Sequence, residues 1–207
     1  MAKQRIHSWP VRLTHWINAF GMTCMFMSGW AIYNASPLFA FRFPTQLTVG
    51  GWLGGALAWH FAVMWLLVAN GLIYVLYGVL SKHFKRDFLP VSPKAVKRDL
   101  LDAVRLRLVH EKGVYNAVQR LMYWLVLAAG VLILVSGVAI WKPIQFQELV
   151  ALLGGYDVAR YVHFAAMAAI GAFVVVHLVL VLLVPKTLLP MITGGVRPMP
   201  TGKRHDD

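Results

Sequence analysis

Four long apolar stretches organise the chain, over roughly residues 13–34, 52–80, 118–141 and 160–184. Each meets the requirement of about 20 apolar residues for a helix that crosses the hydrocarbon of a bilayer. A backbone in lipid must satisfy its own hydrogen bonds, so each stretch is predicted to be a helix. The second is the longest and has room to tilt or to extend beyond the bilayer. The pattern predicts an all-α integral membrane protein: a four-helix bundle over residues 1–190, followed by a polar Pro/Gly-rich tail over 191–207. Between the second and third stretches, Ser92-Pro93 reads as a helix start. Val96, Leu100, Leu101, Val104 and Leu108 then recur at helical spacing among Lys97, Arg98, Arg105 and Arg107. That pattern predicts a basic amphipathic helix on a membrane surface, with a docking face for a partner as the alternative.

Composition agrees. Of 207 residues 59% are hydrophobic and 14% charged, against about 25% charged in soluble domains. The formal net charge is +12. Three of the 20 Lys and Arg precede the first stretch, ten lie between the second and third, and four follow the last; only Arg42, Lys142 and Arg160 fall on the other side. The positive-inside rule therefore places both termini and the 81–117 segment in the cytoplasm of a bacterial inner membrane. It also accounts for the basic charge without nucleic acid as a partner. Trp9, Trp16, Trp30, Trp52, Trp141 and Tyr161 at the borders fit an interfacial belt. The basic start resembles a secretory signal, but without a small-x-small cleavage site the first stretch is read as a retained span.

Cys24 is the sole cysteine, which excludes an internal disulfide, a cysteine-rich metal site and an iron–sulfur cluster; Cys-x-x-Cys-His is absent, which excludes covalent haem attachment. No acidic residue falls within a span, and no internal repeat of the transporter kind is evident, so a proton-driven transporter is disfavoured.

Eight histidines divide into two sets. His7, His83, His110 and His205 lie in tails or the basic segment and read as solvated; His15, His60, His163 and His177 lie in or at the edges of spans. His163 and His177 are 14 residues apart, which puts them on nearly one helix face about 21 Å apart along the axis. Depth then pairs them across helices. His60 is 22 residues from Lys82 and His163 is 23 from Lys186, both near the outer face; His15 is 10 from Arg5 and His177 is 9 from Lys186, both near the inner face. Two pairs at two depths suit two haem irons, each with two axial imidazoles, a six-coordinate arrangement that favours electron transfer over oxygen binding. Isolated packed histidines are the plain alternative. Zinc needs further ligands and a di-iron centre needs carboxylates, and the spans supply neither. Gly21, Gly29, Gly54, Gly55, Gly130, Gly137 and Gly171 offer room for a flat macrocycle or simply allow close helix packing. Arg12, one turn before His15, can pair with a haem propionate.

The set His15, His60, His163 and His177, with Arg12-Leu13-Thr14-His15-Trp16, resembles the bacterial cytochrome b561 and nickel–iron hydrogenase cytochrome b family over residues 5–190. The resemblance implies two haems b, ligated by His15/His177 and His60/His163. Tyr115-Asn116-Ala117-Val118-Gln119-Arg120 is similar to the segment that opens the third helix of formate dehydrogenase cytochromes. That similarity implies Asn116, with Tyr115 and Gln119, at a quinone site; helix capping by Asn116 is the alternative. The family implies a subunit that links the quinone pool to a periplasmic oxidoreductase of the hydrogenase or molybdenum type. A stand-alone superoxide:quinone oxidoreductase is the second reading and a non-haem transporter the third; Arg42, Lys142 and Arg160 suit either an anionic small substrate or the docking of an acidic protein. The pattern leaves a homo-oligomer open.

Overall fold

The computed structural model describes residues 3–5, 8–81, 92–104 and 117–198. Tyr115 and Asn116, together with His7, His83, His110 and His205, lie outside them. Four long helices carry the fold: α1 (Trp9–Ala35), α2 (Leu53–Leu80), α4 (Ala117–Trp141) and α6 (Tyr156–Leu183); α3 (Pro93–Val104), α5 (Gln147–Leu152) and α7 (Leu188–Thr193) are shorter. The one addition to helix among the described residues is a ribbon in which β1 (Lys3–Arg5) pairs antiparallel with β2 (Val196–Pro198). The ordered chain thus continues past residue 190, into the segment expected to be tail.

Helices α2, α4 and α6 are long and apolar enough to cross a membrane. Helix α1 is as long, at 27 residues, but Arg12, Thr14, His15, Asn18 and Thr23 dilute its apolar character. Its hydroxyls are satisfied within the helix: Thr14 donates to Pro10 O, and Thr23 to Ala19 O. Such back-bonding is how a helix hides Ser and Thr from an apolar environment. Large apolar side chains face outward along all four helices, among them Phe20, Trp65, Leu72, Leu76, Val131, Val175 and Leu182. An apolar surface this extensive is normal when the surrounding solvent is lipid.

Close backbone approach is concentrated within two hairpins, α1 with α2 and α4 with α6. The buried residues there are mostly small: Gly21, Ser28 and Ala56 in the first, Ser136, Ala139, Ala159 and Ala166 in the second. Small residues let helix backbones come close where no hydrophobic force drives association. Asn70 reinforces the first hairpin from a buried position, donating from Nδ2 to Thr14 O (2.9 Å) and Asn18 Oδ1 (2.8 Å). Between the hairpins the contacts are largely side chain on side chain, such as Tyr33 on Phe164 and Phe61 on Trp141.

The amphipathic helix expected after Ser92 is α3, whose first turn closes with Val96 N–H donating to Ser92 O. One of its acids finds a use within the chain. Asp99 Oδ2 accepts from the backbone N–H of Ala117 at 2.8 Å, so the carboxylate caps the start of α4. A carboxylate there also meets the positive end of the helix dipole.

The end of the molecule opposite the termini is tightly determined. Asn34 exchanges two hydrogen bonds with the backbone of Phe43, at 2.8 and 2.9 Å. Arg160 donates to Ser36 O and Oγ, joining α6 to the end of α1. Gly50 (φ 107°) and Gly51 (φ 72°) then turn the chain into α2. A Cβ on Gly50 would collide with the backbone at Ala56, one turn before His60. Gly50→Ala is therefore expected to destabilise the protein by about 1–3 kcal/mol through backbone strain. Gly130→Ala, where an added Cβ meets nothing within 4 Å, should be neutral or slightly stabilising. Thermal melting of the two variants in detergent checks the contrast; equal melting temperatures would contradict it.

Candidate functional site

The four candidate histidines meet in two pairs, as depth predicted. His60 of α2 faces His163 of α6 with ring centroids 6.5 Å apart and planes at 58°. His15 of α1 faces His177 of α6 with centroids 6.0 Å apart and planes at 63°. Two imidazoles that share one ion from opposite sides have centroids about 6.4 Å apart, given metal–nitrogen bonds of about 2.0 Å and about 1.2 Å from nitrogen to ring centre. Both pairs match that spacing. Among the described residues no group of three or more His, Cys, Asp or Glu gathers in metal-binding array. The donor set is two nitrogens per level, which suits an ion whose remaining positions are filled by a macrocycle.

The first pair is closely supported. His60 Nδ1 lies 3.0 Å from Ser28 Oγ. The Ser28 hydroxyl hydrogen is already directed at Cys24 O, 2.7 Å away. With one hydrogen to give, the hydroxyl accepts from His60, which places the proton on Nδ1 and leaves the Nε2 lone pair free. His163 repeats the arrangement: Nδ1 is 3.1 Å from Ser136 Oγ and 3.0 Å from Ile133 O, while Ser136 donates to Leu132 O at 2.7 Å. A carbonyl can only accept, so Nδ1 of His163 carries the proton. Both serines are fully buried. The glycine after each leaves room for the ring: an added Cβ would stand 3.6 Å from His60 Cε1 at Gly29 and 3.2 Å from His163 Cε1 at Gly137. Of the seven glycines the sequence offered as room for a macrocycle, these two flank the rings. Gly21 abuts Leu67, Gly171 abuts Phe26, Gly54 and Gly55 belong to the turn around Trp52, and Gly130 has no neighbour.

The second pair is more open. His177 is exposed, with Phe173 stacked on it at 6.1 Å, and Trp16 sits edge-on to His15 at 5.4 Å. Asn70 holds the backbone of Thr14, the residue before His15. Arg12 donates from Nη1 to Ile192 O and Trp16 from Nε1 to Met191 O, so α7 closes over the start of α1. Arg12 Nε is buried without a hydrogen-bond partner. The guanidinium thus keeps an unspent donor close to the His15/His177 level, which an acidic group of a ligand could take.

Ser28 and Ser136 were not singled out from sequence, although a signal for them exists. Helices α1 and α4 share Arg-Leu-x-x-Trp and, after 11 residues, Ser-Gly-x-Ala-Ile, at Arg12 to Ile32 and at Arg120 to Ile140. Helices α2 and α6 share His-Phe-Ala-x-Met from His60 and from His163. The contacts repeat with the residues. Tyr33 meets Phe164 at 5.4 Å, and their counterparts Trp141 and Phe61 meet at 4.9 Å. Ala56 and its counterpart Ala159 are both fully buried. The two hairpins therefore repeat one unit, facing each other about the His60/His163 level, which corrects the expectation that the chain has no internal repeat.

Known proteins resemble the chain in sequence. The chain is 49% identical over 190 residues, 91% of its length and 96% of the relative's, to a putative protein-methionine-sulfoxide reductase subunit, YedZ1, of Azospira oryzae. It is 26% identical over 102 residues, 48% of its length and 40% of the relative's, to a probable Ni/Fe-hydrogenase B-type cytochrome subunit of Bradyrhizobium diazoefficiens. Residues 6–194 match the family described as prokaryotic cytochrome b561, whose members carry b-type haem and transfer electrons as membrane subunits of oxidoreductases. With paired imidazoles at two levels of an apolar helical frame, and a family match over nearly its whole length, the chain belongs to the prokaryotic cytochrome b561 family.

Proposed function

We propose that the protein holds two haems b, one between His60 and His163 and one between His15 and His177, and passes electrons through a four-helix bundle between membrane quinone and an oxidoreductase on the periplasmic side. The observation that carries the reading is the separation of 6.5 and 6.0 Å between facing imidazoles at two levels. In this reading α1 is the fourth span, both termini are cytoplasmic, and the His60/His163 level is the outer one. α3 then lies on the inner leaflet, where its Lys and Arg meet anionic headgroups. Haem, when bound, supplies one-electron chemistry at a six-coordinate iron.

The chain's own residues do the rest. The four imidazoles fix two redox groups at set depths. The apolar frame excludes water, and so limits the reorganisation that electron transfer must drive. The unspent Nε of Arg12 can take a propionate beside His15, a charge-assisted bond. Asn116 is proposed at the quinone site, where an amide can bond a quinone carbonyl close to cytoplasmic water. As the partner we propose a reductase related to that of the Azospira oryzae relative, whose name is that of a methionine-sulfoxide reductase subunit. Electrons would then run from quinol to the inner level, to the outer level and on to the partner.

The stand-alone superoxide reading relied on Arg42, Lys142 and Arg160 at the outer end. Arg160 is engaged with Ser36, and Lys142 lies over the Trp141 ring at 5.2 Å. Both contacts are with uncharged groups and leave the positive charge in place, so this end suits the acidic surface of a partner as well as a small anion.

Single alanine substitutions test the ligand set. His60→Ala or His163→Ala should lower haem content from two per chain to one and spare the inner haem; His15→Ala or His177→Ala should do the converse. Reduced-minus-oxidised spectra with pyridine haemochrome quantification check both. An unchanged haem content in any of the four would remove that residue from the site. Asn116→Ala should lower quinol oxidation about 10-fold or more, as for the loss of one hydrogen bond to substrate, with both haems retained. Unchanged turnover would return Asn116 to a capping role.

A further inference from the structure

We propose that Ser28 and Ser136 are paired positioning residues that set the donor strength of the outer axial imidazoles, and through it the potential of the haem between them. The inference rests on the haem reading above and extends it to two residues that touch only the ligands. Back-bonding to a helix carbonyl does not by itself call for these serines. Thr14 and Thr23 do the same in α1, with donation to the carbonyl four residues earlier. Ser28 and Ser136 differ in that each oxygen also receives an imidazole N–H from the neighbouring helix of its hairpin. Each is followed by a glycine whose missing Cβ faces the same ring. The combination occurs in both copies of the unit, at 3.0 and 3.1 Å.

The chemistry follows from the tautomer. A hydrogen bond accepted from Nδ1–H leaves more electron density on the ring, makes Nε2 a better donor and orients its lone pair. A stronger donor favours the more positively charged, oxidised iron, so each serine lowers the outer potential. The two sides are unequal. His163 has the Ile133 carbonyl at 3.0 Å as a second acceptor, whereas among the described residues Ser28 is the one acceptor for His60 Nδ1. Loss of Ser28 therefore removes the support of its ring, whereas loss of Ser136 leaves the carbonyl in place.

The test uses the full-length protein purified from membranes, wild type beside Ser28→Ala, Ser136→Ala and the double variant. It reads haem content, the two midpoint potentials by spectroelectrochemical titration, and the g values of the oxidised low-spin haems. The expected result is two haems throughout. The outer midpoint should rise in Ser28→Ala, rise less in Ser136→Ala and rise most in the double variant, with the inner midpoint unchanged. Should Ser28→Ala shed the outer haem, Ser28→Thr keeps the hydroxyl; haem retained at the wild-type midpoint then supports the proposal, and haem lost from both overturns it. Wild-type outer midpoints and g values in all three alanine variants overturn it while the ligand assignment stands. A wild-type protein without an outer haem overturns the ligand assignment, and the proposal with it.

Discussion

The separation of two imidazoles across a gap between helical hairpins is the constraint on which the rest of the structure depends. It is set from both sides. Within each hairpin, small residues such as Ala56 and Ala159 allow the helices to close on each other. Between hairpins, larger groups hold the frame: Tyr33 on Phe164, Phe61 on Trp141, and Arg160 on Ser36. The histidines then reach into the intervening space from α2 and α6 at one level and from α1 and α6 at the other. The loop between α1 and α2, which leads to His60, is over-determined. The Asn34 bracket on Phe43 and the glycine turn before α2 fix where His60 begins its ascent.

The internal duplication gives this arrangement an economical origin and shows where it was broken. At the His60/His163 level both copies contribute the same parts, a histidine with a serine and a glycine from the adjacent helix. At the end near the termini the copies diverge. In register, the counterpart of His15 is Tyr123 and the counterpart of His177 is Tyr74. One corner of the His15/His177 level therefore carries two imidazoles and the related corner two phenols. The His60/His163 level is symmetric and the His15/His177 level is not.

Much of this was legible in the sequence. Hydropathy located the long helices because lipid imposes length and apolarity directly on composition. The histidine pairs followed from helical rise and the position of flanking cations, and the same two pairs face each other in the structure. Ser92-Pro93 marked α3. Other features were hidden. The hydroxyl partners of His60 and His163 are 32 and 27 residues away in sequence. The repeat that identifies them amounts to a few identities spread over two thirds of the chain. The cap that Asp99 gives α4 and the closure of α7 over Arg12 are tertiary events, with no local pattern to announce them. The β1–β2 ribbon joins the basic start to a segment whose glycines and prolines read as tail. Helix α1 sits at the boundary between the two kinds of feature, since its polar residues weaken its hydropathy signal.

The most direct test of the central claim is the haem content of the purified wild-type protein, read together with the low-temperature resonance of its oxidised iron. Two low-spin, six-coordinate haems per chain are predicted, since two imidazole pairs have the spacing of axial ligands. A chain that binds one haem or none when made with ample haem supply, or whose iron is five-coordinate and high-spin, would contradict the account.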